Sequence, residues 1–195
     1  MHKLEDLWNR MENKTKDDRM DLYNELVSGF ECELISAYDL NEMGFFTAPA
    51  STKYHGAYEG GLFDHSFAVY QQLKLLTQRN GLAWQLDTSP FVVGMYHDLC
   101  KCDQYLKIEL PTGLEYEQPQ WEYNKDTMLS GHGDKSVLLL CQHMSLTEEE
   151  VLCIRFHMGA YQTDDWAQFD RAIRKYPNVL WTHMADMLAS KVDDV

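Results

Sequence analysis

Several absences narrow this chain before any motif does. No stretch approaches the roughly 18 to 20 uninterrupted apolar residues that cross a bilayer, and the first six residues lack the charged-then-apolar layout of a signal peptide. A cytoplasmic, intracellular protein with no membrane contact is therefore expected. Cysteine is sparse and odd in number. Cys32, Cys100, Cys102, Cys141 and Cys153 are scattered through what read as helices, which implies reduced thiols rather than a disulfide frame. Cys100 and Cys102 flank Lys101, but no pair has the CxxC spacing that a zinc ribbon or finger uses. Basic residues are few as well: Lys and Arg total 17 against 31 Asp and Glu, for a formal net charge of −14, and form no cluster. That balance repels long polyanions, so no long nucleic acid is expected as partner, whereas a small anion brought in by metal ions is compatible. Internal repeats, low-complexity tracts and linkers are also missing. A chain of 195 residues, 45% hydrophobic, supports one core and one domain over 1–195, with 1–44 read as an N-terminal helical extension packed on it.

What is present is mostly helical periodicity. Leu4, Leu7, Trp8 and Met11, then Met20, Tyr23, Leu26 and Val27, fall at helical intervals, interrupted by a charged stretch at 14–18. Ser28-Gly29 ends this segment, and 31–40 is a short segment of uncertain type. Residues 45–61 combine small residues, one Pro and three Gly with four aromatics, a pattern expected of a long ordered loop centred on Tyr54 and His55. Gly60-Gly61 opens a helix to about Gln78, whose apolar stripe includes Leu62, Val69 and Leu73. The run from Pro90 to Lys101 predicts a central helix, and 105–125 predicts two short strands around Pro111-Thr-Gly113, a small β-hairpin. Further helices are expected from Gly131-His132-Gly133-Asp134, from the capping box Thr147/Glu150, from 163–165 through Ile173, and from Pro177 through Lys191.

The chemistry sits on those helices. In Tyr96-His97-Asp98, three polar groups follow directly on an apolar run, and Lys101 lies four and three residues beyond His97 and Asp98. A His-Asp dipeptide alone proves little in a chain with this many of both residues. His65, however, falls on the apolar stripe of its own helix, His132 at a helix N-terminus and His157 at a helix end, and Asp186 sits among small packable residues. Singly, each has a bland reading, since a lone inward histidine is more often a hydrogen-bonded core residue. Together they are six imidazole or carboxylate groups on five elements. Such groups must satisfy one another or a cation when buried, and a metal site is the economical explanation.

The phrases Tyr54-His-Gly-Ala-Tyr-Glu-Gly-Gly-Leu-Phe-Asp-His65, Tyr96-His-Asp-Leu-Cys-Lys101, Gly131-His-Gly-Asp-Lys-Ser136, Arg155-Phe-His-Met-Gly159 and His183-Met-Ala-Asp186 occur in an order that resembles the HD-domain metal-dependent phosphohydrolases. The likeness covers roughly residues 45 to 192 and is to the subgroup with two extra histidines between the HD dipeptide and the last Asp. It includes the HD domain of bacterial 3′–5′ exoribonucleases and small phage or bacterial HD proteins. Leu99-Cys100 departs from the usual Ile-Gly before the lysine, and no OB-type nucleic-acid domain stands ahead of the motifs.

The resemblance implies an all-α HD-type helical bundle with the hairpin as an insertion. It implies that His65, His97, Asp98 and Asp186 hold one divalent ion and Asp98, His132 and His157 a second, with Mn, Fe, Co, Ni, Zn or Mg as candidates. Such a pair activates water as hydroxide and clamps a phosphoryl group, here of a small nucleotide substrate. Catalytic roles then fall to Asp98, Lys101 and His55, and substrate contacts to Tyr54, His55, Lys101 and Arg155, although Arg155 reads equally as a surface charge and His55 as a water-exposed loop residue. The implied activity is hydrolysis of a phosphoester or phosphoanhydride bond in a dNTP, an NMP, or a cyclic or short oligonucleotide. A non-catalytic metal-containing nucleotide sensor, a 3′–5′ exonuclease on short RNA or DNA, and a helical domain with structural histidines only are the alternatives. The resemblance also allows a homo-oligomer, though no stretch of sequence marks the contact.

Overall fold

The computed structural model describes Trp8, residues 13–109, 120–129, 131–159 and 166–193, and Val195. Leu4, Leu7 and Met11, the expected turn at 111–113 and the expected helix cap at 163–165 lie outside the described residues. Eight α-helices occur among those described: α1 Lys16–Val27, α2 Ala37–Met43, α3 Gly61–Asn80, α4 Ser89–Tyr96, α5 Gly133–Leu140, α6 Glu148–Arg155, α7 Trp166–Lys175 and α8 Asn178–Lys191. A 3₁₀ helix, Leu99–Asp103, follows α4, and two strands, β1 Tyr105–Lys107 and β2 Trp121–Tyr123, pair antiparallel with Tyr105 opposite Tyr123 and Lys107 opposite Trp121. The fold is all-α with a small β insertion. No described helix is long and apolar enough to cross a membrane.

Helix α3 forms the middle of the bundle and packs against both α4 and α8. Leu62, Phe63, Phe67, Val69 and Leu73 are buried along it, facing Phe91, Val92 and Met95 of α4 and Val179, Ala185 and Ala189 of α8 within one core. The α3–α4 approach is set by Gly94, where a β-carbon would stand 2.5 Å from Tyr70 Cα, so a larger residue would force the helices apart. At the end of α4, Tyr96 is tied to α1 through its hydroxyl. Tyr23 Oη donates to the Ile35 carbonyl at 2.5 Å, so Tyr96 Oη must donate to Tyr23 Oη, also at 2.5 Å. Burial raises both phenol pKa values and keeps them protonated.

Three local details differ from or refine the sequence pattern. The charged stretch at 14–18 interrupts the helical pattern, as expected: Trp8 is helical, residues 13–15 are not, and a new helix starts at Lys16. Thr15 and Asp18 form a reciprocal capping box that starts α1, with Asp18 Oδ2 accepting from Thr15 N at 2.8 Å. The uncertain segment at 31–40 resolves into the start of α2, capped by Ser36. The helix expected to run from Pro90 through Lys101 ends at Tyr96 and tightens into the 3₁₀ segment, closed by Lys101 N donating to Asp98 O at 2.9 Å. Here tertiary bonds outweigh the continuous apolar pattern: Cys100 N donates to Ser136 Oγ at 3.0 Å, and the buried Lys135 ammonium pairs with Asp103, fastening the segment to α5. The expected capping box on α6 is present, with Glu150 N donating to Thr147 Oγ1 at 3.2 Å and Thr147 N to Glu150 Oε2 at 2.8 Å.

Candidate metal centre

Five elements deliver the six residues to one place. His65 comes from the first turns of α3, His97 and Asp98 from the break after α4, His132 from the residue preceding α5, His157 from two residues beyond α6, and Asp186 from the middle of α8. Close packing brings His132 and His157 together: a β-carbon on Gly133 would sit 2.4 Å from the Arg155 carbonyl oxygen, so only glycine lets α5 start against the end of α6. Apart from the half-buried His132, all of these residues are buried.

The rings are aimed by their outer nitrogens. Nδ1 of His65, His97 and His157 lies 2.9, 2.9 and 2.6 Å from the carbonyl oxygens of Val195, Gly94 and Ile154. A carbonyl only accepts, so each Nδ1 donates there and each Nε2 is the ring atom turned toward the cluster, the orientation of a metal-binding imidazole. Nε2 of His65, His97, His132 and His157, and Oδ1 of Asp98, are buried without a hydrogen-bond partner. Asp98 lies among them: Oδ2 is 3.7 Å from His65 Nε2 and 3.4 Å from His97 Nε2, and Oδ1 is 2.7 Å from His132 Nε2 and 3.3 Å from His157 Nε2. Asp186 Oδ1 is 3.2 Å from His65 Nε2. None of these contacts completes a hydrogen bond, the 2.7 Å one included. Two atoms each about 2.1 Å from one ion stand roughly 3.0 to 3.4 Å apart, which matches most of these separations. Three groupings have ligand atoms within 4.8 Å of one another: His65, His97 and Asp98; His97, His157 and Asp186; and Asp98, His132 and His157. Such mixed imidazole and carboxylate sets could hold a divalent transition-metal ion.

The local charges reinforce this. Burial would raise the Asp98 and Asp186 pKa values, but Lys101, His97 and His132 hold Asp98 well below the carboxylate range, and His65, His97 and His157 do the same for Asp186. Lys101 is buried too. Burial would lower its pKa, yet Asp98, whose Oδ2 is 2.6 Å from Nζ, outweighs that and raises it.

A cavity of about 440 Å³ opens on the cluster, with Asp98, His132 and Asp186 in its lining. Of the residues expected to contact substrate, Tyr54, His55 and Lys101 line it. Tyr54 is exposed, whereas His55 lies against the cluster, its ring centroid 5.0 Å from that of His65. Burial, then the neighbouring His65 and Lys101, lower the His55 pKa to about 4, so at neutral pH it is an uncharged N–H donor. Arg155 is absent from the lining. Its Nε is 2.9 Å from Asp134 Oδ1 and its guanidinium lies over Phe156 on the surface. Cavity-lining residues that the sequence reading did not assign include Gln104, Tyr105, Tyr123, Lys191 and His183. His183 Nδ1 donates to the main-chain oxygen of His157 at 2.7 Å and so buttresses a cluster residue. The signal for it was available, since His183 precedes Asp186 by one helical turn.

Compared with models of known protein families, with curated proteins and with solved structures, the chain matches none.

Proposed function

We propose that this protein is a metal-dependent phosphohydrolase of the HD type that cleaves a phosphoester or phosphoanhydride bond of a nucleotide or short oligonucleotide. One observation carries the reading: four histidines present buried, unpartnered Nε2 atoms to a buried aspartate, beside a lysine-lined cavity. The order of the HD-like phrases along the chain supports it. The two faces of Asp98 support two ions rather than one, with Oδ2 shared with His65 and His97 and Oδ1 with His132 and His157. His65, His97, Asp98 and Asp186 would hold one ion and Asp98, His132 and His157 the other.

Divalent cations bound there supply charge neutralisation for phosphoryl oxygens and acidify an attacking water. The remaining work falls to the chain's own groups. Lys101, within the cavity lining, provides a fixed positive charge for the phosphoryl group, and His55 donates an N–H toward the leaving oxygen. Asp98, held ionised by Lys101 and the imidazoles, keeps the cluster at one fixed separation.

The test is a turnover panel of dNTPs, NMPs, cyclic nucleotides, cyclic dinucleotides and short RNA with Mn²⁺, each with and without chelator. The expected result is chelator-sensitive consumption of at least one class. A metal-loaded protein that binds a nucleotide without consuming it would point to a sensor instead, and one that does neither would refute the reading.

A further inference from the structure

We propose that the tyrosine face of the β-hairpin is the base-binding wall of this cavity, so that the enzyme selects a nucleotide over a phosphate ester lacking an aromatic ring. The inference rests on the phosphohydrolase reading above and adds the part of the substrate that lies away from the phosphate.

The register places the residues. Tyr105 stands directly opposite Tyr123 in the β1–β2 pair, so their side chains emerge on the same face of the ribbon, while the Leu106–Glu122 pair between the strands' ends emerges on the other. Both tyrosines line the cavity. Their ring centroids are 5.2 Å apart at an interplanar angle of 59°, a tilted pair in which one ring can offer its face while the other braces its edge. Tyr123 is 61% exposed and thus contributes little to the core, and Tyr54, from the separate 45–60 loop, lines the same cavity at 78% exposure.

A scattered exposed tyrosine needs no explanation, but three converging on one cavity beside a phosphate-suited cluster form a composite site. The lining divides by chemistry. Asp98, Lys101, His132 and Asp186 suit an anion with metal, whereas Tyr54, Tyr105, Tyr123, Met158 and Met187 offer flat or adaptable apolar surface. A sugar phosphate or a chain of phosphates fills only the first part. A nucleotide fills both, its base stacked on an aromatic face as bases stack on single-strand binding platforms. At about 440 Å³ the space suits one small molecule, and the net charge of −14 argues against a long polyanion continuing out of it.

The experiment compares nucleotides with their base-free counterparts. Initial-rate KM values, or inhibition constants for compounds not turned over, are measured with Mn²⁺ for AMP against ribose 5-phosphate and for ATP against tripolyphosphate. Wild-type protein is set beside Tyr123→Ala, Tyr123→Phe and, on the opposite hairpin face, Leu106→Ala. Wild type is expected to favour each nucleotide over its base-free partner. Tyr123→Ala should weaken the nucleotide constants on the order of ten-fold and leave the base-free ones within about two-fold, with Tyr123→Phe and Leu106→Ala close to wild type. Equal treatment of both partners by wild type, or a Tyr123→Ala protein that keeps the full preference, overturns the hairpin assignment while leaving hydrolysis in place. If none of the four compounds is hydrolysed or inhibits, the base-wall assignment falls, and the phosphohydrolase reading falls with it only when the full nucleotide panel also shows no chelator-sensitive consumption.

Discussion

Glu149 and Glu150 at the start of α6 are buried as deeply as His97 and Asp98, yet the chain supplies the two groups very differently. Glu150 accepts from Thr147 N, Thr147 Oγ1 and Ser89 Oγ, and Glu149 accepts from Gln85 N and Asn178 Nδ2. On α3 the contrast falls between adjacent residues. Asp64 takes two guanidinium bonds from Arg19, at 3.0 and 2.8 Å, and a third from Tyr58 Oη at 3.0 Å, whereas the next residue, His65, leaves Nε2 without a partner. A buried polar group with its partners inside the protein holds the fold, and a set of them without partners, converging on one point, marks a place for something from outside.

The sharpest way to break that comparison is to remove one residue of each kind. Asp98→Ala should lower nucleotide hydrolysis by at least a thousand-fold, roughly 4 kcal/mol in transition-state stabilisation, while circular dichroism stays that of the folded helical protein. Arg19→Ala should act the other way. It leaves the Asp64 carboxylate buried without its cation and should cost about 3 to 5 kcal/mol in urea unfolding, with metal bound per folded molecule unchanged. If Arg19→Ala instead releases metal and Asp98→Ala only destabilises, the division between the two regions is wrong. Thr147→Ala, which deletes one side of the α6 capping box, should cost about 1 kcal/mol in the same unfolding assay. Smallest of all is Arg155→Ala. Its ion pair with Asp134 is solvent-exposed, so stability should change by less than about 0.5 kcal/mol and nucleotide KM should not move.

The sequence carried the closed features where they are local and the open ones where residue type is unusual. Gly60-Gly61, the Thr147/Glu150 box and Pro177 mark helix starts through chemistry confined to a few positions, and all three helices begin there. The six cluster residues stood out because each puts an imidazole or carboxylate where apolar or helix-end positions seldom carry one. Pairings across long separations left no such trace. Arg19 and Asp64 are 45 positions apart, and nothing periodic in either helix announces the bond. The end of α4 at Tyr96 was hidden by an apolar run that continues through it, because the tightening into a 3₁₀ turn is dictated by Ser136 and Lys135 from a distant helix. The hairpin tyrosines were likewise invisible as site residues, since β register decides which face they share and the cavity is assembled from other segments.

Whether those unpartnered Nε2 atoms bind an ion is decided most directly by a metal titration. Protein stripped with chelator is loaded with Mn²⁺, dialysed and analysed for bound metal, with thermal unfolding followed on the same samples. Wild type is predicted to retain at least one equivalent per chain and to be stabilised by about 2.7 kcal/mol at a hundred-fold excess over Kd, and Asp98→Ala to show neither effect. A wild-type chain that retains no metal, or an Asp98→Ala chain that retains as much as wild type, would contradict it.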